Sequence, residues 1–132
     1  MAWQLRPSVE LAHAALILTS SMLAACIPER DYEPRVIGGD PDRGRTALAR
    51  YECGVCHVIP GIPDAVGRVG PALADYSHRS YVAGKFPNDP ETLVRWIIDA
   101  PSMAPLTAMP AIAVTEQEAK DMAAYLYESR WP

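Results

Sequence analysis

Large aromatic side chains and long apolar runs are both scarce in this sequence. Phenylalanine occurs once in 132 residues, whereas proline occurs 13 times. This composition favours short helices joined by extended loops, and it leaves little apolar mass for a core. A large buried cofactor would supply the missing mass. The length is sufficient for one domain and too short for two of ordinary size.

Positive charge is also in short supply. Lysine and arginine total 12 against 16 acidic residues, which gives a net charge of −4 and an isoelectric point of about 5.3. Nothing in this balance indicates a nucleic-acid partner. The apolar run at residues 11–25 has only 15 residues, too few to span a bilayer comfortably. Its length is typical of the apolar region of a secretory signal peptide.

Cysteine is rare and odd in number, with three residues in the chain. Cys26 directly follows the apolar run, and the four residues "LAAC" at 23–26 resemble the lipobox of bacterial lipoproteins. This resemblance implies cleavage before Cys26 and attachment of a diacylglycerol to its sulfur. An ordinary signal peptide cleaved nearby, or a buried free cysteine, is the alternative. Two or three acyl chains would hold a small domain durably on the periplasmic or extracytoplasmic side of a membrane.

The chain divides into three predicted segments. Residues 1–25 form the lipoprotein-type signal peptide. Residues 26–39 mix charges, prolines and a glycine pair without periodicity, which is typical of a tether. Residues 40–132 form the folded domain.

Three stretches of this domain begin with helix-start signals, and apolar side chains recur along each at helical spacing. An aspartate followed by proline opens the helical pattern at 40–51 and again within 88–101. A threonine with a glutamate three residues later forms a capping box at the start of 115–127. Pro101 is expected to stop the second helix. No segment alternates as a strand would, so the sequence predicts an all-α fold with about three main helices and long ordered loops.

The pentapeptide "CGVCH" places two residues between Cys53 and Cys56, with His57 directly behind the second cysteine. A structural zinc site needs four ligands, and adjacent Cys56 and His57 rarely close on one ion. A redox dithiol would follow a strand of a βαβ unit, and no such unit is visible. Covalent haem fits better, because each thiol can add across one vinyl group while the histidine lies under the iron. The export signal supports this interpretation, since such haem attachment takes place outside the cytoplasm.

A second iron ligand is available in "PLTAMPAI". Met109 lies there 52 residues after His57, directly before Pro110. A thioether is soft and favours ferrous iron, so a histidine–methionine pair raises the reduction potential. Met103 is the main rival, although its other role would be to fill the core. His78 would give a bis-histidine iron, but an isolated loop histidine is usually solvated.

These motifs, taken in order, resemble the class I, mitochondrial-type cytochromes c. The resemblance covers about residues 40–130 and rests on "CGVCH", "GPAL", "ETLVRWIIDAP", "PLTAMP" and a closing helix with "AAYLY". More closely, "RSYVAGKFPNDPETLVRWI" looks like the cytochrome c domains appended to subunit II of haem–copper oxidases. The chain departs from the family at Leu106, where a glycine is usual, and at Gly44, which precedes Cys53 by one residue more than in many relatives.

The resemblance implies a cytochrome c fold around one covalent haem c, attached through Cys53 and Cys56 and ligated by His57 and Met109. It also implies four further residues around the haem. In the family, a proline carbonyl bonds the proximal histidine, an arginine lies near the propionates, an aromatic ring lies against the haem, and a threonine bonds a propionate. The matching positions here are Pro71, Arg79, Trp96 and Thr107.

The expected function is that of an electron carrier and not of an enzyme. Electrons would pass through the exposed haem edge to a redox protein partner, such as a respiratory complex or a terminal oxidase. Two alternatives stay open. One is a haem enzyme or gas sensor with an open sixth iron position, and the other is a fixed electron-transfer subunit of an oxidase or dehydrogenase complex.

Overall fold

The computed structural model describes residues 35–130. The predicted signal peptide, Cys26 and most of the predicted tether lie outside these residues. Within them, no helix is long and apolar enough to cross a membrane. The α-helices are α1 (Pro41–Arg50), α2 (Pro90–Ile98), α3 (Ala100–Met103) and α4 (Glu116–Glu128), with 3-10 turns at Cys53–Val55 and Tyr76–His78. The all-α prediction is confirmed, with three main helices and one short one.

The helix starts form as their sequences dictate. The Asp40 side chain accepts a hydrogen bond from the Arg43 amide at 2.9 Å, and Asp89 accepts one from the Thr92 amide at 2.9 Å. Both hydrogen bonds of the predicted capping box are present at the start of α4. Each of these side-chain caps accepts a hydrogen bond from a backbone amide that has no partner within its helix.

Two features of the middle segment were not predicted. A small antiparallel hairpin pairs β1 (Tyr81–Val82) with β2 (Phe86–Pro87). Strands of two residues are too short to show alternation in a sequence. In addition, α2 ends at Ile98, and Pro101 lies in the first turn of α3, because the Asp99 side chain caps this new helix. Proline is readily accepted in a first turn.

The crossing of α1 over α4 brings the two backbones into contact. A Cβ atom added to Gly44 would lie 1.9 Å from the carbonyl oxygen of Asp121. On the same side of α4, Ala119, Met122 and Ala123 are fully buried, as the predicted apolar stripe requires. This crossing forms one wall of the interior and supports the loops that follow α1.

The packed structure begins before Asp40. Val36 is buried, and the carbonyl of Gly38 accepts a hydrogen bond from Gln117 of α4 at 2.7 Å. Gly39 approaches the Lys120 carbonyl so closely that an added Cβ would lie 2.7 Å from its oxygen. The last residues of the predicted tether therefore lie against α4, and its remaining part falls outside the described residues.

Candidate functional site

A cavity of about 760 Å³ lies between the "CGVCH" segment, α2, α4 and the loop after α3. This volume is within the range of pockets that hold organic cofactors. Its walls are mostly apolar, so a group bound there would be largely shielded from water. The apolar wall residues include Leu48, Leu73, Leu93, Ile97, Met122 and Leu126.

The "CGVCH" segment folds into a tight turn at the edge of this cavity. The amides of Cys56 and His57 both donate to the carbonyl of Cys53, at 3.3 and 3.0 Å. The turn directs Cys53 and His57 toward the 760 Å³ cavity. Cys56 borders a smaller cavity of about 340 Å³, which is also lined by Cys53, His57 and Met109. Both thiols and both predicted iron ligands therefore meet at one place.

The environment of Cys53 does not suit a redox dithiol, and the described residues do not supply the ligands of a zinc site. Burial raises the pKa of Cys53, whereas a redox dithiol needs an attacking cysteine of lowered pKa. Zinc requires a cluster of ligands, and residues 35–130 contain no group of three or more histidine, cysteine or acidic side chains that could hold a metal ion.

The imidazole of His57 is oriented by the backbone. Its Nδ1 lies 2.7 Å from the carbonyl oxygen of Pro71. A carbonyl can only accept, so Nδ1 carries the proton and, in the neutral ring, Nε2 keeps a lone pair for a metal. Such a bond also fixes the ring orientation and raises the basicity of the ligand.

Met109 lines both cavities from a loop with its own internal hydrogen bonds. The Met109 amide donates to the Thr107 hydroxyl at 3.2 Å, and the Thr107 amide donates to the Ala104 carbonyl at 3.0 Å. The Ile112 amide donates to the Ile98 carbonyl at 3.1 Å, which ties the loop to the end of α2. These bonds hold the thioether at the cavity wall.

The two rivals for the iron lie elsewhere. Met103 is half-buried and packs against the core, and it lines neither cavity. His78 is exposed, with Nε2 3.4 Å from the Arg130 guanidinium. Of the three candidates for a second axial ligand, Met109 is the one that borders the cavity together with His57.

The other predicted haem contacts, Pro71, Arg79, Trp96 and Thr107, all line the 760 Å³ cavity. The Arg79 guanidinium donates to the carbonyls of Ala72 and Ala74 and lies 4.9 Å from the ring centre of Tyr76. Trp96 is buried, with its ring centre 6.1 Å from that of Phe86.

Sequence reasoning missed Tyr76 at this site. Its side chain is buried and lines the cavity, and burial raises its pKa to about 12. The phenol therefore stays protonated and can donate a hydrogen bond to an acidic group. Tyr76 lies three residues before Arg79, and the 3-10 turn between them brings both side chains to the same wall. This spacing was the sequence signal that could have identified Tyr76.

The donor set as a whole fits a haem. Two thiols lie on one turn, a histidine keeps its Nε2 available, a thioether borders the same space, and the walls are apolar. A guanidinium and a phenol at the wall suit the acidic side groups that a haem carries. Neither a zinc site nor a redox dithiol would use all of these groups.

Comparisons with known proteins show the family to which the chain belongs. The family model described as cytochrome c matches residues 41–129. Over 86 residues the chain is 31% identical to cytochrome c oxidase subunit 2 from Alkalihalophilus pseudofirmus, covering 64% of this chain and 24% of that protein. The chain thus spans about a quarter of the length of this curated relative. The solved structure of cytochrome c2 from Rhodobacter sphaeroides matches with a TM-score of 0.51 at 22% identity, covering 71% of this chain and 99% of that one, which is a likeness of fold.

Proposed function

The chain belongs to the cytochrome c family and binds haem c covalently. From this premise we propose that it is a membrane-anchored carrier of single electrons in a respiratory chain. We propose His57 and Met109 as its axial iron ligands. Members of this family are electron carriers. The anchor, the ligand pair and the place in respiration are the proposed parts.

One observation carries the ligand assignment. His57 and Met109 border the same cavity, which also receives the Cys53 thiol, and the proton of His57 is held on Nδ1 by the Pro71 carbonyl. Nε2 is therefore the nitrogen available to iron. Cys53 and Cys56 would hold the macrocycle through thioethers.

Each side chain has a defined task in this proposal. The haem supplies the reversible one-electron chemistry when it is bound. The thioether of Met109 favours ferrous iron, while the bond from His57 to Pro71 favours ferric iron, so the two ligands set the potential in opposite directions. Arg79 and Tyr76 would bind the propionates, with Thr107 near the same edge. Trp96 would lie against the macrocycle and exclude water.

The proposed partners and location follow from the sequence and one relative. A lipid on Cys26 would keep the domain at the extracytoplasmic side of a membrane, where two or three acyl chains give durable binding. The similarity to a cytochrome c oxidase subunit 2 supports redox partners in respiratory complexes, a terminal oxidase in particular. The same similarity favours a second candidate, a fixed electron-transfer subunit of such a complex. Co-purification of the chain with other subunits from solubilised membranes would distinguish it from a free carrier.

Haem retention and carbon monoxide binding test the proposal together. We expect the denatured protein to keep its colour in a gel stained for haem peroxidase activity, because thioethers survive denaturation. We also expect the reduced native protein to bind carbon monoxide slowly and to titrate as a reversible one-electron couple. Clean extraction of the haem by acid–acetone would contradict covalent attachment. Rapid binding of carbon monoxide would instead favour an enzyme or sensor with an open sixth position.

A further inference from the structure

The backbone at Gly70 lies so close to the ring of His57 that no side chain fits between them. A Cβ atom added to Gly70 would be 2.2 Å from Cε1, 2.6 Å from Nδ1 and 2.9 Å from Nε2 of His57. Gly70 does not have a positive φ, unlike Gly38, Gly61 and Gly84. Glycine is therefore required at position 70 by space and not by backbone conformation.

The backbone of residue 70 is hydrogen-bonded to the turn that carries His57. Its amide donates to the Cys56 carbonyl at 2.8 Å, and the Gly67 amide donates to the Gly54 carbonyl at 3.0 Å. At Gly67 the two backbones are in close contact, because an added Cβ would lie 2.2 Å from the Val55 carbonyl oxygen. The segment from Gly67 to Gly70 is thus hydrogen-bonded directly to the "CGVCH" turn. Pro71 is the next residue, so its carbonyl is positioned by the same hydrogen bonds.

We propose that Gly70 is a positioning residue for the iron ligand His57. The Pro71 carbonyl holds Nδ1 at 2.7 Å, and the bare backbone of Gly70 occupies the space into which the ring would otherwise turn. A rotation of the imidazole would either break the hydrogen bond or collide with residue 70. This inference rests on the proposed role of His57 as an axial ligand.

The effect of replacing a glycine by a larger residue depends on whether the added Cβ would meet a side chain or the backbone. At Gly70 the three atoms nearest to an added Cβ all belong to the imidazole, which can move by side-chain rotation without a shift of the backbone. At Gly44 the three nearest atoms are backbone atoms of Asp121 and Met122. An alanine at 70 therefore displaces the ring and leaves the fold, whereas an alanine at 44 separates two helices and leaves the ring.

Gly70→Ala tests the proposal, with Gly44→Ala as the matched control. We expect Gly70→Ala to keep covalent haem and a wild-type helical circular dichroism spectrum. Solvent exchange of the His57 Nδ1 proton in the reduced protein, measured by NMR, should become about tenfold faster, since its hydrogen bond to Pro71 is weakened. The reduction potential should rise, because a less basic imidazole stabilises ferric iron less. Gly44→Ala should lower Tm and keep the wild-type potential and proton exchange.

Each result decides the matter. A Gly70→Ala protein with wild-type proton exchange and potential would overturn the proposal and leave the haem and its ligands as they are. Failure of Gly70→Ala to accumulate as folded haem protein, when Gly44→Ala does accumulate, would also overturn it, because the ring would not be the part that yields. Failure of the proposed function is a separate result, in which the wild-type protein itself lacks the spectrum of a histidine-ligated covalent haem.

Discussion

The two proposed iron ligands are held by the chain in different ways. His57 belongs to a turn of backbone hydrogen bonds, and both its Nδ1 and its ring are restrained by neighbouring backbone. Met109 lies on a separate loop that is stabilised by the Thr107 hydroxyl and by a bond from Ile112 to the end of α2. None of those bonds uses the Met109 side chain, so its sulfur can be removed without disturbing the loop.

Replacing Met109 therefore gives a clean test of the sixth ligand. We expect the oxidised wild-type protein to show the weak far-red band of sulfur–iron charge transfer, and Met109→Ala to lose it. The variant should also bind carbon monoxide readily when reduced and have a lower potential, because a soft ligand that favours ferrous iron is gone. Absorption spectra and a redox titration measure all three properties.

Met103→Ala is the control for this prediction. Met103 is half-buried in the core and lines neither cavity. Its removal should therefore leave the far-red band, the binding of carbon monoxide and the reduction potential unchanged. If the two variants exchange phenotypes, the ligand is Met103 and the carrier function survives. If neither alters the spectrum, the iron is not bound by a methionine of this loop, and His78 or an open site becomes the alternative.

The predictability of the site differs from residue to residue. The order of motifs along the chain predicts that Cys53, His57 and Met109 share one site, and in the fold all three border one cavity. Their chemical roles remain predictions. The importance of Gly70 was not predictable, because it comes from a contact between backbone and a ring 13 positions earlier. A sequence pattern records residue types along the chain and carries no such distance.

The crossing of α1 and α4 depends on one buried carboxylate. Asp121 of α4 is 3% exposed and accepts hydrogen bonds from Nε and Nη2 of Arg43, at 2.8 and 2.9 Å. It also accepts from the amide of Asp40 at 2.9 Å and from Gln117 at 2.9 Å. The Arg43 side chain holds the pKa of Asp121 below its usual range. The network joins the start of α1 to the middle of α4 beside the close approach at Gly44.

We expect Asp121→Asn to destabilise the protein by about 2 kcal/mol, because an amide cannot accept all of these bonds and brings an NH₂ group toward other donors. The corresponding fall in Tm is about 10 °C for a domain of this size. The matched control is Glu116→Gln on the same helix. Glu116 is 70% exposed and pairs with Lys120 at 2.6 Å, so its loss should cost less than about 0.5 kcal/mol.

The difference in free energy of unfolding between wild type and Asp121→Asn should depend on pH, and the direction follows from the lowered pKa of Asp121. A carboxylate whose pKa is lowered by folding stabilises the protein above the unfolded value, near 4 for aspartate, and loses that contribution as the pH falls. The difference in free energy of unfolding between wild type and Asp121→Asn should therefore shrink below about pH 4. Urea unfolding at pH 7 and pH 3 measures it. A difference that stays constant would show that Asp121 acts through packing alone.

The helices were predictable from local sequence signals, whereas the hairpin was not, because it is stabilised by contacts between distant residues. Helix starts at Asp40 and Asp89 depend on a side chain and an amide three residues apart, so they are readable in sequence. The hairpin at 81–87 instead depends on Asn88, which donates to the carbonyls of Tyr76 and Arg79 at 2.9 and 2.8 Å. The Asn88 side chain also accepts from Tyr127 of α4 at 3.0 Å. Such contacts across the fold leave no periodic pattern.

At the scale of the whole molecule, the proposed membrane anchor and the haem attachment use different cysteines. Cys26 lies outside the described residues, and the cavity that Cys53 borders is formed within them. Membrane association through Cys26 would depend on acyl chains, whereas haem attachment would use Cys53 and Cys56, so the two properties should be separable by mutation.

Cys26→Ser tests this separation. We expect the variant to be released from membranes into the soluble fraction, because two or three acyl chains supply most of the binding free energy at about 0.8 kcal/mol for each buried methylene. It should retain its covalent haem and its wild-type spectrum, since haem attachment uses other thiols. Salt-washed membranes and the supernatant are compared by haem staining. A variant that still fractionates with salt-washed membranes would show that lipid on Cys26 is not the anchor, and contacts with an integral membrane complex would then account for the association, as expected of a fixed subunit.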